Sequence, residues 1–229
     1  LWDRAYDELK DKESKESELM DAYEKVMAHI LKKGDLSPTA PEPDENEIET
    51  DLAARRLQMN KLVDDGLKKT EKLANVMKGI GGAIQVIDSV KETIGKGIES
   101  VPCAGIAWAG VCIALQILKA PADETTTNRD GIVYVCERME WYWNLSNIQF
   151  EENVVDIRSL VGLRDRLEKH IIDLYKALLL YQIKSVLSYY RNQGFDFLRN
   201  LFKSDDWDGS LKSVRDAEDI FRQDLAVYN

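Results

Sequence analysis

Residues 101–118, VPCAGIAWAGVCIALQIL, carry a single polar side chain, Gln116. Eighteen such residues are poorly placed against water, so whatever fold the chain adopts has to enclose them. A bilayer span takes about 20 predominantly apolar residues, and this stretch stops just short. The preferred reading is the central helix of a bundle. Small residues at Cys103, Ala104, Gly105, Ala107, Ala109 and Gly110 would let neighbouring helices approach closely. The competing reading is a cryptic membrane-active segment, uncovered when the bundle opens. Trp108 is a packing aromatic in the first case and an interfacial anchor in the second.

The rest of the chain supplies the helices that such a centre needs. In residues 1–33, Trp2, Tyr6 and Leu9 recur at helical spacing, and so do Leu19, Tyr23, Val26, Met27, Ile30 and Leu31. The charged run Lys10–Glu18 separates the two sets. Residues 34–47 hold three of the five prolines and an acidic run, the composition of a linker. A long helical pattern covers 48–78. The glycine groups Gly79–Gly82 and Gly95–Gly97 then bracket a helix-like segment at 83–94. Helices are expected at about 129–147 and 160–191, the second apolar on most faces through Ile171–Tyr190 and ended by Gly194. A short segment at 195–202 precedes a last helix after Trp207, amphipathic through Leu211, Val214, Ala217, Phe221 and Leu225. No stretch alternates with period two. The expectation is an all-α, multi-helix bundle with a central apolar helix. Its organisation would be an N-terminal helical segment (1–33), a linker (34–47) and the bundle proper (48–229).

Charge and cysteines narrow the function classes. The net charge is −10, with Lys and Arg interleaved among the acids, which speaks against nucleic acid as a partner. Cys103, Cys112 and Cys136 sit in apolar surroundings with no paired spacing, which points to buried thiols in a reducing compartment. No secretory signal opens the chain. It begins at Leu1 rather than Met, the expected appearance of a segment cut from something longer.

Catalytic patterns are sparse. A phosphate cradle requires Gly-x4-Gly-Lys-Ser/Thr after a buried strand, and neither glycine group provides it. Gly79-x-Gly81 has Ile84 where a dinucleotide fingerprint needs glycine. His29 and His170 lie in separate amphipathic helices, and Cys103 and Cys112 fall on roughly opposite helix faces, so no metal is expected. The acidic pairs Glu151-Glu152 and Asp205-Asp206 read as solvated faces or helix N-caps. No catalytic, cofactor-binding or metal residue is assigned, and no cofactor is expected. The cluster Trp141-Tyr142-Trp143 cannot place all three rings on one helix face, so at least one is expected outside the core as a contact for a partner. With the amphipathic N-terminal helix and the apolar segment, the candidate membrane or partner contacts are Trp2, Tyr6, Trp108, Trp141 and Trp143.

Several longer strings carry a resemblance. LWDRAYDELK (1–10), AYEKV (22–26), RLQMNKLVDDGLKKTEK (56–72), GIAWAGVCIALQIL (105–118), NRDGIVYVCERMEWYWNLS (128–146), LYKALLLYQIKSVLSYYRN (174–192) and DDWDGSLKSVRDAE (205–218) together resemble the N-terminal domain of NACHT-type NTPases of filamentous fungi. The resemblance implies a receptor built like NOD-like receptors, with a downstream NACHT module in the same polypeptide and C-terminal repeats. This domain would be its non-enzymatic output end, clustered when the NACHT module oligomerises. Self-association on activation follows, ending in cell death of the host hypha, with membrane lipids as a further partner. The expected location is the cytoplasm, moving to a membrane on activation. The alternative implied is a non-enzymatic adaptor or autoinhibitory protein-interaction module.

Overall fold

In a computed structural model of the chain, the described residues are 1–33, 47–74, 92, 105–117, 126–151, 161–192, 194–199, 201 and 206–228. They form seven α-helices and one 3-10 turn, with no strand among them. The helices are α1 (Trp2–Lys10), α2 (Ser17–Lys33), α3 (Leu52–Ala74), α4 (Gly105–Ile117), α5 (Thr126–Glu151), α6 (Val161–Asn192) and α7 (Trp207–Tyr228); the turn is Asp196–Leu198. Residues 34–46 of the linker, both glycine groups, the segment 83–94 apart from Glu92, Cys103, and Glu152 and Asp205 of the acidic pairs lie outside the described residues.

Local chemistry sets the boundaries. Asp51 caps α3 by accepting from the Ala54 amide at 2.9 Å, and Asp206 caps α7 by accepting from the Gly209 amide at 2.9 Å. Gly194 ends α6 at φ 101°, a left-handed conformation that glycine adopts without a steric penalty. The reversal lets the Phe195 amide bond back to the Tyr190 carbonyl at 3.3 Å. The charged run between α1 and α2 forms a loop in which the Asp11 carboxylate and the Ser14 hydroxyl accept from the amides of Glu13 and Glu16. α5 starts earlier than periodicity suggests, at Thr126 rather than Arg129. The physical reason lies in α6: buried Asn128 accepts from the Ser185 hydroxyl at 2.8 Å, so a polar residue read as connector is satisfied inside the helix.

α6 is the hub, packed against α1, α2, α4, α5, α7 and the 3-10 turn, and this is why its middle is apolar on most faces. α4 lies between α3 and α6 and also touches α1 and α5. The α3–α4 contact is close because α3 presents Gly66: a Cβ there would stand 2.5 Å from the Cys112 Cβ. Along α4, Ala107, Trp108, Ala109, Val111, Cys112, Ile113, Ala114, Leu115 and Ile117 are all buried. The described part of the apolar segment is therefore enclosed by protein, as the first of its two readings requires. α1 and α2 contribute to the same core: Trp2, Tyr6, Met20, Tyr23 and Met27 are buried together with Trp108, Tyr175 and Leu178. Each large apolar side chain so placed contributes about 1.5–3 kcal/mol.

Candidate functional site: the docked N-terminal hairpin

The five aromatic candidates go to different places. Trp2, Tyr6 and Trp108 are core residues, at most 4% exposed, and offer no surface to a lipid or a partner in this arrangement. The reason is geometric: the apolar stripe of α1 faces α6 and α4, not solvent. Trp141 is 44% exposed, edge-on against the buried Tyr142 ring at 4.6 Å between centroids. The Trp143 side chain lies outside the described residues. Trp141 alone of the four described candidates is thus available to a partner.

Trp2 and Tyr6 nonetheless mark the most elaborated interface of the chain. The Trp2 ring lies flat on Tyr175 of α6, centroids 3.7 Å apart and planes 4° from parallel. Around that stack α1 is ringed by ion pairs. Arg4 meets Glu168 at 2.8 Å and Glu8 meets Lys176 at 3.1 Å, both to α6. Asp7 meets Arg55 at 3.0 Å and Asp3 meets Arg56 at 3.2 Å, both to α3. The two pairs to α6 sit at the rim, where solvent screening leaves each worth about 0–1 kcal/mol, whereas Arg55 is buried and Asp3–Arg56 part-buried. The Arg55 guanidinium also lies over the Tyr6 ring at 5.4 Å.

α1 and α2 are joined by a different kind of contact. Glu24 of α2 is wholly buried, and its carboxylate accepts from the Tyr6 hydroxyl at 2.8 Å and from the Lys10 ammonium at 2.7 and 2.8 Å. Burial, and then the Glu24 charge, push the Tyr6 hydroxyl well above its ordinary pKa, so it stays a neutral donor. α2 in turn sets the His29 ring edge-on to Phe195 at 5.4 Å, beyond the end of α6.

A second buried carboxylate ties α5 to α7. Glu218 accepts from the Tyr134 hydroxyl at 2.6 Å and the Tyr142 hydroxyl at 2.9 Å, with Arg138 at 3.3 Å and Arg222 at 2.8 Å. Sequence reasoning missed both carboxylates, although one signal was available. Glu24 lies on the stripe of Met20, Tyr23 and Met27, and Glu218 on that of Val214, Ala217 and Phe221, where an acid is unexpected unless paired. Neither arrangement suits acid–base chemistry, since each carboxylate is engaged with helix partners. Among the described residues, no group of three or more His, Cys, Asp or Glu side chains could hold a metal ion. Cys112 is buried, and burial followed by the Asp64 charge pushes its thiol up to about 12, far from a reactive thiolate. No described helix is long and apolar enough to cross a membrane.

Residues 1–229, the whole chain, match the family described as the N-terminal domain of NWD NACHT-NTPases. The chain belongs to this family. No curated protein matches it, and no solved structure matches it. As a NACHT N-terminal domain, it is a regulatory module rather than the NTPase domain itself. The linked partner that membership makes plausible is a NACHT module of the same polypeptide.

Proposed function

We propose that this NACHT N-terminal domain is the signalling output of its receptor, a non-enzymatic module that acts when NACHT oligomerisation brings copies together. The observation that carries the reading is the match of the entire chain to a family defined by its place beside the NTPase. In this reading the domain works in the cytoplasm, nucleotide chemistry stays in the NACHT module, and clustering is the signal that ends in cell death. Forced clustering of the folded domain in cells, through an inducible oligomerising fusion, tests it directly. A response that follows the inducer is expected; a clustered, folded domain with no effect overturns the reading.

A membrane form of the output would act through α4 and the N-terminal helix. α4 has 13 residues, about 20 Å at 1.5 Å per residue, against a hydrocarbon core of about 30 Å. Lipid would reach it only after the overlying helices had moved. Leakage from liposomes on clustering is the expected signature, and vesicles left intact across lipid compositions would remove this form.

One observation favours a second reading, a passive adaptor or autoinhibitory module: the exposed Trp141 on α5. Large aromatics of this kind supply much of the energy of many protein interfaces. Trp141→Ala distinguishes the two, because loss of a bound partner without loss of the clustered response assigns Trp141 to an adaptor role.

A further inference from the structure

The hairpin of α1 and α2 carries two donors for its buried carboxylate within itself and depends on the remainder of the chain for its apolar burial. Its one wholly buried carboxylate, Glu24, draws its donors Tyr6 and Lys10 from within residues 1–33. The polar contacts described from α1 to α3 and α6 are four ion pairs: Arg4–Glu168 and Glu8–Lys176 at the rim, Asp3–Arg56 part-buried, and Asp7 with the buried Arg55. Yet Trp2, Tyr6, Met20, Tyr23, Val26 and Met27 are buried in the common core. Simple release would expose all of them to water. Seating the hairpin on an identical surface would expose none, and Glu24 would keep its donors throughout.

The connection permits that substitution. The Lys32 ammonium meets the Glu47 carboxylate at 2.8 Å, so the two ends of the connection lie within reach of one ion pair, with 13 residues, 34–46, between positions 33 and 47. Fully extended, such a length reaches about 45 Å, comparable with the width of a domain whose radius of gyration is ~17 Å. It is far longer than the intramolecular seat requires. Because the two seats are chemically the same, only effective concentration chooses between them. A tether of this kind supplies a millimolar-range effective concentration. Dilute micromolar chains therefore keep their own hairpins by a factor of about 10³, whereas copies packed side by side reach the same millimolar range.

We propose that residues 1–33 exchange between copies of this chain when the copies are clustered, each hairpin seating on the α3, α4 and α6 surface of a neighbour. The occupant of the site is a second copy, and the product is a chain-exchanged assembly that outlasts the encounter that formed it. The proposal rests on the induced-proximity reading for its clustering step.

Cross-linking tests it, with Cys103→Ser in every chain. An Arg4→Cys chain and a Glu168→Cys chain, differently tagged and fused to an inducible oligomerising module, are mixed and treated with a short bismaleimide. A covalent heterodimer that appears only on clustering is expected, together with at least a tenfold weaker product from Arg4→Cys paired with the exposed Asp216→Cys. The Arg4→Cys/Glu168→Cys double variant, unclustered, should cross-link within one chain, which establishes that the hairpin is seated. Clustered chains that yield no heterodimer above the Asp216→Cys level, while the double variant still closes internally, overturn the exchange. The cellular response is read separately: a response without heterodimer leaves induced proximity standing and removes exchange, and heterodimer without response does the reverse.

Discussion

Trp2, the second residue of the chain, lies stacked on Tyr175 near the middle of α6, with ring centroids 3.7 Å apart. One indole thus joins the N-terminal helix to the hub against which α2, α4, α5, α7 and the 3-10 turn also pack. Trp2→Ala should destabilise the domain by about 3–5 kcal/mol, the usual cost of truncating a buried aromatic. Tyr175→Phe keeps the ring and loses the hydroxyl's 3.3 Å bond to the Tyr142 carbonyl, for about 1 kcal/mol. Urea unfolding of both variants checks the ratio, and equal costs would show that the stack is not what holds α1.

The Glu24 cluster makes a prediction about pairs rather than single residues. Glu24→Ala leaves the Tyr6 hydroxyl and the Lys10 ammonium without their acceptor and should cost about 3–5 kcal/mol. Replacing the whole set with apolar residues of similar size, Tyr6→Phe with Lys10→Met and Glu24→Met, should return stability to within about 1 kcal/mol of the parent. A thermodynamic cycle over these variants measures the coupling. Additive costs would refute the description of the three as one unit.

Gln182 of α6 is buried, and neither end of its amide has a hydrogen-bond partner. It faces Gly110 of α4, where a Cβ would stand 2.7 Å from its Oε1 and 2.6 Å from the Tyr23 hydroxyl. A buried amide without partners forfeits its hydration for nothing in return. Gln182→Met should therefore raise stability by roughly 1–2 kcal/mol, visible as a higher urea midpoint at unchanged slope. A lower midpoint would mean that the amide is satisfied in solution.

Alkaline pH should weaken the fold, and the buried thiols begin the loss because their unfolded pKa lies below that of tyrosine. Burial and the Asp64 charge raise the Cys112 thiol from its ordinary 9.0 to about 12, and burial raises Cys136 further. Below pH 9 both states hold these protons and stability is unaffected. Above it the unfolded thiols lose protons that the folded ones keep, so stability falls by about 1.4 kcal/mol per pH unit per thiol. For Cys112 the loss continues until its folded thiol ionises near 12. Urea midpoints should stay level to about pH 9 and fall above it, and Cys112→Ala should make the fall shallower. An unchanged slope in that variant would place the titration elsewhere.

Much of the fold was readable from spacing. Breaks at Gly194 and in the run Lys10–Glu18 fall where φ 101° and the loop between α1 and α2 are found. The early start of α5 was not readable, because Asn128 is polar and its partner Ser185 lies 57 positions away. The candidate contacts fared unevenly for the same reason. Trp2 and Tyr6 could be recognised as aromatic and amphipathically placed, but not as facing inward, since a stripe says nothing of what covers it, whereas the preferred reading of the apolar segment already made Trp108 a packing aromatic.

By itself the sequence determined that the chain is helical and that residues 101–118 need an enclosure, because period and hydrophobicity are properties of neighbouring positions. The tertiary structure decided what does the enclosing. For the described part, α4 lies between α3 and α6, with α1 and α5 against it and Trp108 among its buried side chains. It also decided that Glu24 and Glu218 are buried carboxylates, matched by donors as far as 84 positions away. A carboxylate's partners are set by packing in three dimensions, and no local pattern along the chain records them.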